Sequence, residues 1–320
     1  MRKKIVVWLL ATLLATAPLA DAQQPAKVFK IGWLAIVSGQ LSQSGIIHQW
    51  LRALGYVEGK NIFIEYLSAE GKLDRLPALA DELVCLKVDV LVAVGTATAL
   101  AAKNATKTIP IVFIDVTDPI AAGLIDSLAR PGGNITGFTT IGSILAGKRL
   151  ELLKETVPKL SRVAVLWNPQ DSSSAQSWKE SQLPARELGL QLHSMEVSSA
   201  DKLAGAFKEA IKARSEGLAP MVGQGENDIA KLANKYRLPA IYSRQPAVEN
   251  GGLMSYGPDR SEGFRRAAVF VDKILKGTKP ADIPVEQPMR FELAINLKTA
   301  KALSLTIPPI VLMRATRVVK

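Results

Sequence analysis

From Phe29 onward, short apolar runs rich in β-branched residues alternate with stretches whose apolar positions recur at the helical period. Such an alternation predicts βαβ units stacked on parallel sheets. The first half reads as strands at Phe29–Ile36, Ile62–Tyr66, Val88–Val94, Ile111–Asp115 and Ile135–Thr139. Helices at Ser44–Leu54, Leu76–Leu86, Thr98–Ala105 and Ala121–Leu128 separate them. Val88–Val94 is apolar except for Asp89, as expected of a strand covered on both faces. Gly55 supplies a left-handed helix end, and Arg130-Pro131-Gly132-Gly133 is a turn cluster.

The rhythm then restarts, with strands expected at Val163–Trp167, Gln191–Val197, Leu218–Val222, Ala240–Ser243 and Leu253–Tyr256. The matching helices are Gly147–Thr156, Trp178–Leu188, Lys202–Arg214 and Asp228–Tyr236. An amphipathic helix at Ser261–Leu275, a strand at Phe291–Asn296 and a helix at Leu297–Leu303 return the chain to the two halves. The expected architecture is α/β, with two Rossmann-like lobes whose parallel sheets are joined by a hinge. One lobe comprises 27–138 plus 258–284 and the other 139–257 plus 285–320.

Ahead of this pattern, Arg2, Lys3 and Lys4 precede the apolar run Ile5–Leu14, and Ala20-Asp21-Ala22 has the small-x-small form that signal peptidases cut. Residues 1–22 are therefore expected to be a secretory signal, too short in its apolar part for a permanent anchor. Export places the mature chain in the periplasm, without stable insertion in the membrane. The formal charge of +11 falls to about +9 without that segment, and the remaining bases are spread along the chain with no interleaved aromatics. A solvated basic surface, not a nucleic-acid site, is the expected reading. Cys85 is the only cysteine, so no intramolecular disulfide can form, and its place in an apolar helix predicts a small core residue.

In open parallel sheets, ligands gather beyond the carboxyl ends of the strands, where loops and helix N-termini offer unpaired backbone N–H groups. The residues there are small, polar and glycine-rich. The candidate ligand-binding set is Ser38, Gly39, Gly95, Thr96, Thr117, Asp118, Asn168, Ser173, Gln224, Ser243 and Tyr256. Hydroxyls and amides both donate and accept, which suits a neutral or zwitterionic solute better than a metal. Singly, each has a plainer explanation: Ser38, Thr96 and Ser173 fit helix N-caps, Asp118 before Pro119 fits a turn, and Tyr242 and Tyr256 fit core aromatics. Gly223-x-Gly225 lacks the third glycine of a dinucleotide loop. Their convergence at equivalent strand ends is what favours a binding cleft.

Catalytic chemistry finds less support. The two histidines, His48 and His193, lie in no HExxH pattern, and CxxC and GxSxG are absent. Paired carboxylates such as Asp115 and Asp118 have no second polar partner nearby in sequence to make acid–base work expected. No cofactor, metal or catalytic residue is expected.

Several long strings resemble a known family: GYVEGKNIFIEY at 55–66, DPIAAGLIDSLARPGGNITG at 118–137, KRLELLKETVP at 148–158, GGLMSYG at 251–257 and FELAINLKTAKAL at 291–303. They are similar to the ABC transporter substrate-binding family that includes tryptophan- and tyrosine-binding members. The resemblance implies a type I periplasmic binding fold, with three strands crossing between lobes that close over a solute, and neither cofactor nor reaction. It further implies an inner-membrane ABC permease as partner, an amino-acid-like solute with aromatic ones included, and a monomer. Between Val222 and Ile229 the chain is shorter than the family pattern, which shortens one cleft wall around Gln224, Glu226 and Asn227. Two other outputs fit the same residues: a ligand sensor docking on a receptor or kinase, and an exported enzyme acting on a small polar substrate.

Overall fold

The computed structural model describes residues 27–37, 44–222 and 225–320. The expected signal, together with Ser38, Gly39 and Gln224, lies outside the described residues. In chain order the elements of the first half are β1 (Phe29–Ala35), α1 (Ser44–Ala53), β2 (Ile62–Ser68), α2 (Leu76–Cys85), β3 (Val90–Val94), α3 (Thr96–Ala105), β4 (Ile111–Val116) and β5 (Ile135–Thr139). They form one parallel sheet of order β2-β1-β3-β4-β5.

Period-two alternation sorts the strand side chains between two cores. Ile31, Trp33 and Ala35 of β1 and Val90, Val92 and Val94 of β3 join one cluster, while Leu34, Leu91 and Ala93 join the other. The first cluster is closed by α1 and by the later helix α9 (Arg260–Leu275), which contributes Phe264, Ala267, Ala268, Val271 and Ile274 at helical spacing. The second is closed by α2 and α3. A segment at the end of the chain's long excursion also packs here, since Ile283 and Val285 belong to these two cores.

The second half runs α4 (Leu145–Thr156), β6 (Arg162–Trp167), α5 (Ser172–Glu187), β7 (Gln191–Glu196), α6 (Leu203–Lys212), β8 (Gly217–Pro220), α7 (Glu226–Lys235), β9 (Ile241–Tyr242), α8 (Gln245–Glu249) and β10 (Met254–Pro258). After α9 follow β11 (Phe291–Asn296), α10 (Leu297–Ala302), α11 (Pro309–Arg314) and β12 (Arg317–Val319). The strand sets β7-β6-β8 and β12-β11-β10-β9 are linked by a parallel bridge from Leu218 to Ala240. Pairing is parallel except between β10 and β11, where the chain comes back from the first lobe in the opposite direction.

The chain passes between lobes after β5, after β10 and before β11, and the three passages are bonded to one another. Thr139 N donates to the Glu286 carbonyl at 3.0 Å, Glu286 N to that of Gly137 at 3.1 Å, and Asp259 N to that of Arg290 at 3.1 Å.

Three sequence expectations are corrected. Residues 121–128 form turns, not a helix: Gly123 takes φ +67, Lys103 Nζ donates to the Gly123 and Leu124 carbonyls, and the Asp118 carboxylate accepts from Ile120 N and Ala121 N. Cys85 is exposed, because the buried stripe of α2 is Leu76, Leu79, Ala80 and Leu83 and position 85 falls off it. The helix expected at Trp178 starts earlier, at Ser172, and the short elements α8, α11 and β12 carry too few residues to show a period.

Gly137 is required by the sheet itself. A Cβ built there lies 2.1 Å from the Phe113 carbonyl oxygen of the adjacent strand. Gly137→Ala is therefore expected to cost about 3 kcal/mol, the upper end for overpacking, read from the midpoint of chemical denaturation; a loss under about 1 kcal/mol would show that β4 and β5 can part without cost.

Candidate functional site

The carboxyl ends of β3 and β4 face the N-terminus of α5. Gly95 takes φ +103, a conformation open to glycine, and so turns the chain from β3 directly into α3 with Thr96 as its first residue. Thr96 Oγ1 accepts from Thr117 N at 3.4 Å, joining the two strand ends of the first lobe. From the other lobe, Ser173 Oγ donates to the same Thr96 oxygen at 2.8 Å.

Around this contact lies a cavity of about 10 Å³, lined by Thr96, Asp118, Ala121 and Ala122 on one side and Ser172, Ser173 and Gln176 on the other. Ligand pockets usually run from about 300 Å³ upward. Admission of a solute here requires the lobes to part and the Thr96–Ser173 bond to open.

Ser173 is positioned by Asp171, three residues into the loop that begins at Asn168. The N-cap of α5 is Asp171, whose carboxylate accepts from Ser173 N at 2.9 Å, so Ser173 is not the cap itself. Asn168 belongs to the same turn: its side chain accepts from Gln170 N, and its N–H donates to Ser174 Oγ at 2.7 Å. Likewise the cap of α3 is Gly95, which leaves the Thr96 hydroxyl to reach across the gap.

The remaining candidates sit deeper in the second lobe. Ser243 gives both its N–H and its hydroxyl to Glu226, which is only 3% exposed and also takes the Nε of Arg244 at 3.3 Å. Tyr256 stacks on Phe291 with centroids 6.0 Å apart, and its carbonyl accepts from Arg149 Nε at 2.8 Å. Arg149 also donates to the Gly142 carbonyl at 3.2 Å, so one buried guanidinium holds both the passage after β5 and the strand leading to the passage after β10. Burial lowers its pKa to about 10 while the Glu226 charge opposes the shift, and it remains a cation at neutral pH. Arg149 had a sequence signal: it lies on the buried stripe of α4 among Leu145, Ala146, Leu150 and Leu153, where a charge needs internal partners.

Tyr242 is fully buried under the second sheet, a core aromatic and not a stacking platform. Asp115 and Asp118 do not act as a pair. Asp118 closes its own turn, whereas Asp115 forms an ion pair with Arg260 at the start of α9. Asp115 has φ +59, and the β4–β5 register shifts between Phe113 and Val116, so a bulge turns the carboxylate toward the start of α9. His48 bridges Glu58 and Tyr66 on the outer face of the first lobe. Among the described residues no group of three or more His, Cys, Asp or Glu side chains is placed to hold a metal, and no helix is long and apolar enough to cross a membrane.

A family model described as ABC transporter substrate binding protein matches residues 30–319. The chain belongs to that family. The fold of this substrate-binding protein, two α/β lobes with parallel sheets and three passages between them, is that of type I periplasmic binding proteins. Its similarity extends to a tyrosine-binding protein of Clostridioides difficile strain R20291, 31% identical over 254 residues that make up 78% of this chain and 73% of that one. A solved structure of an ABC domain in complex with L-Trp from Streptococcus pneumoniae aligns with TM-score 0.84 at 27% identity, over 92% of this chain and 100% of that one. The ligand-free, open structure of a substrate-binding protein with adhesive properties from Clostridium difficile aligns with TM-score 0.68 at 25% identity, over 92% of this chain and 100% of that one.

Asp171 provides a test of the cleft's electrostatics. Burial raises its pKa, opposed by hydrogen bonds from Ser173 and Ser174. A carboxyl with a raised folded pKa adds stability below its unfolded value of about 3.9 and loses it as pH rises through the folded value. Asp171→Asn keeps the cap without the buried charge, so its melting point is expected to match or exceed the wild type at pH 7. That gap should shrink as pH falls toward about 4. A variant less stable than wild type at pH 7, by a gap unchanged with pH, would contradict this.

Proposed function

We propose that this substrate-binding protein captures an amino-acid-like solute, aromatic ones included, between its lobes in the periplasm and delivers it to an inner-membrane ABC permease. It works as a monomer without chemistry on the solute, and the lobes are 27–138 plus 258–284 and 139–257 plus 285–320. The observation that carries this reading is the hydrogen bond from Ser173 to Thr96, which spans the gap between strand ends of opposite lobes. The higher likeness to the L-Trp complex than to the open, ligand-free relative supports a closed arrangement of the lobes.

In the proposed cycle the cleft opens by rotation about the three passages, and a solute entering it meets Thr96, Thr117 and Asp118 from the first lobe. Contacts with Asn168, Ser173, Ser243 and Tyr256 form only on closure, so the solute favours the closed population. Ser38, Gly39, Gly95 and Gln224 complete the proposed set. A single neutral hydrogen bond is worth about 1 kcal/mol, so the Thr96–Ser173 contact holds the lobes loosely enough for a solute to displace it.

A thermal-shift series over the twenty amino acids and small carboxylates tests this, because a ligand at 100 times its Kd adds about 2.7 kcal/mol of stability. A rise with L-tryptophan or L-tyrosine is expected, and Thr96→Val should weaken it by up to about tenfold in Kd. A flat response from every amino acid would refute the proposed solute class.

A further inference from the structure

Among the described residues, Arg260 is a guanidinium at the strand ends whose buried Nε donor goes unused. It is the first residue of α9, two positions beyond the end of β10, and its NH2 group pairs with Asp115 at the end of β4. Its side chain is 24% exposed and that of Asp115 10%. Arg260 Nε is buried and donates to nothing among the described residues. A native buried donor without a partner calls for an explanation. Asp115 stands two residues before Thr117, whose N–H bonds Thr96, so the ion pair lies at the same end of the sheet as the contact between lobes. The bulge at Asp115 is what points its carboxylate toward Arg260, and the Asp259 cap, accepting from Ser261 N at 3.0 Å, fixes the backbone from which Arg260 departs.

We infer that Arg260, oriented by Asp115, is a specificity-determining residue that receives the carboxylate of the solute at the hinge end of the cleft. A guanidinium has five N–H donors in a planar fork and can serve two carboxylates on different edges, which a lysine cannot. With one arm committed to Asp115, the other edge is held in place before the solute arrives, so little side-chain freedom is lost on binding. Charge balances as well: Arg260 offsets one carboxylate, and an ammonium on the same solute offsets the other. Burial lowers the Arg260 pKa to about 10, which leaves it cationic over the working range. The inference rests on the proposed capture of an amino-acid-like solute between the lobes and names the group that reads its acid end.

The test compares L-tryptophan, its carboxamide and indole-3-propionate by titration calorimetry on the mature wild type and on Arg260→Gln. Loss of a charge-assisted contact should raise Kd by about thirtyfold for the two carboxylates and leave the carboxamide within about threefold. Arg260→Lys, which keeps a cation for Asp115 but lacks the fork, should give an intermediate loss, and it carries the same comparison if the glutamine variant fails to fold. Equal losses for acid and amide would reduce Arg260 to a hinge clamp and overturn the inference, as would no loss at all. Binding of indole-3-propionate but not L-tryptophan, still dependent on Arg260, would sink the amino-acid reading and keep this one. If none of the three bound the wild type, both would fall.

Discussion

The bonding between the three passages of the chain is the constraint on which the cleft depends. Thr139 to Glu286, Glu286 to Gly137 and Asp259 to Arg290 make the passages one ladder and not three independent tethers. Backbone hydrogen bonds of this kind tie the three passages into one unit, and sliding one passage past another would break them together. The strand ends on either side are thereby kept facing each other.

Charged side chains surround the ladder, and their arrangement follows from the cost of burying charge. Arg149 reaches carbonyls on both sides of the hinge, Arg266 pairs with Glu286, Arg290 approaches Asp259, and Asp115 crosses to Arg260. Partly buried pairs contribute modestly to stability, because desolvation offsets most of the Coulomb attraction. Their directional requirement is severe, however, and at the hinge direction is what matters.

The legibility of the chain differs between its layers. Val90, Val92 and Val94 against Leu91 and Ala93 could be assigned to opposite faces of a covered strand from the run alone, because parallel sheets impose an alternation that no loop can imitate. The turn at 121–128 defeated the same method. Its composition permits a helix, and a positive φ at Gly123 with a lysine from α3 on its carbonyls prevents one. Cys85 is exposed, and the sequence hides this for a related reason, since an apolar helix does not reveal which side its partner will cover until the partner is present. The strand-end residues could be listed from the sequence, but the roles of Asp171 and Arg260 could not, for each comes from a group more than one element away or from a cap shifted by two positions, and Arg149 signalled only that a buried charge needed partners, not which ones.

What the residues alone determined was local: the periodicity of strands and helices, the restart that makes two lobes, and the polar character of the loops beyond each strand. Those properties depend on nearest neighbours and on the two repeat lengths of the backbone. Only the tertiary structure decided which loop tips meet, that Ser173 bonds Thr96 across 77 positions of chain, and that Arg260 answers Asp115 across 145. Contacts at such separations are set by how the sheets pack and where the chain recrosses, and no local pattern carries that information.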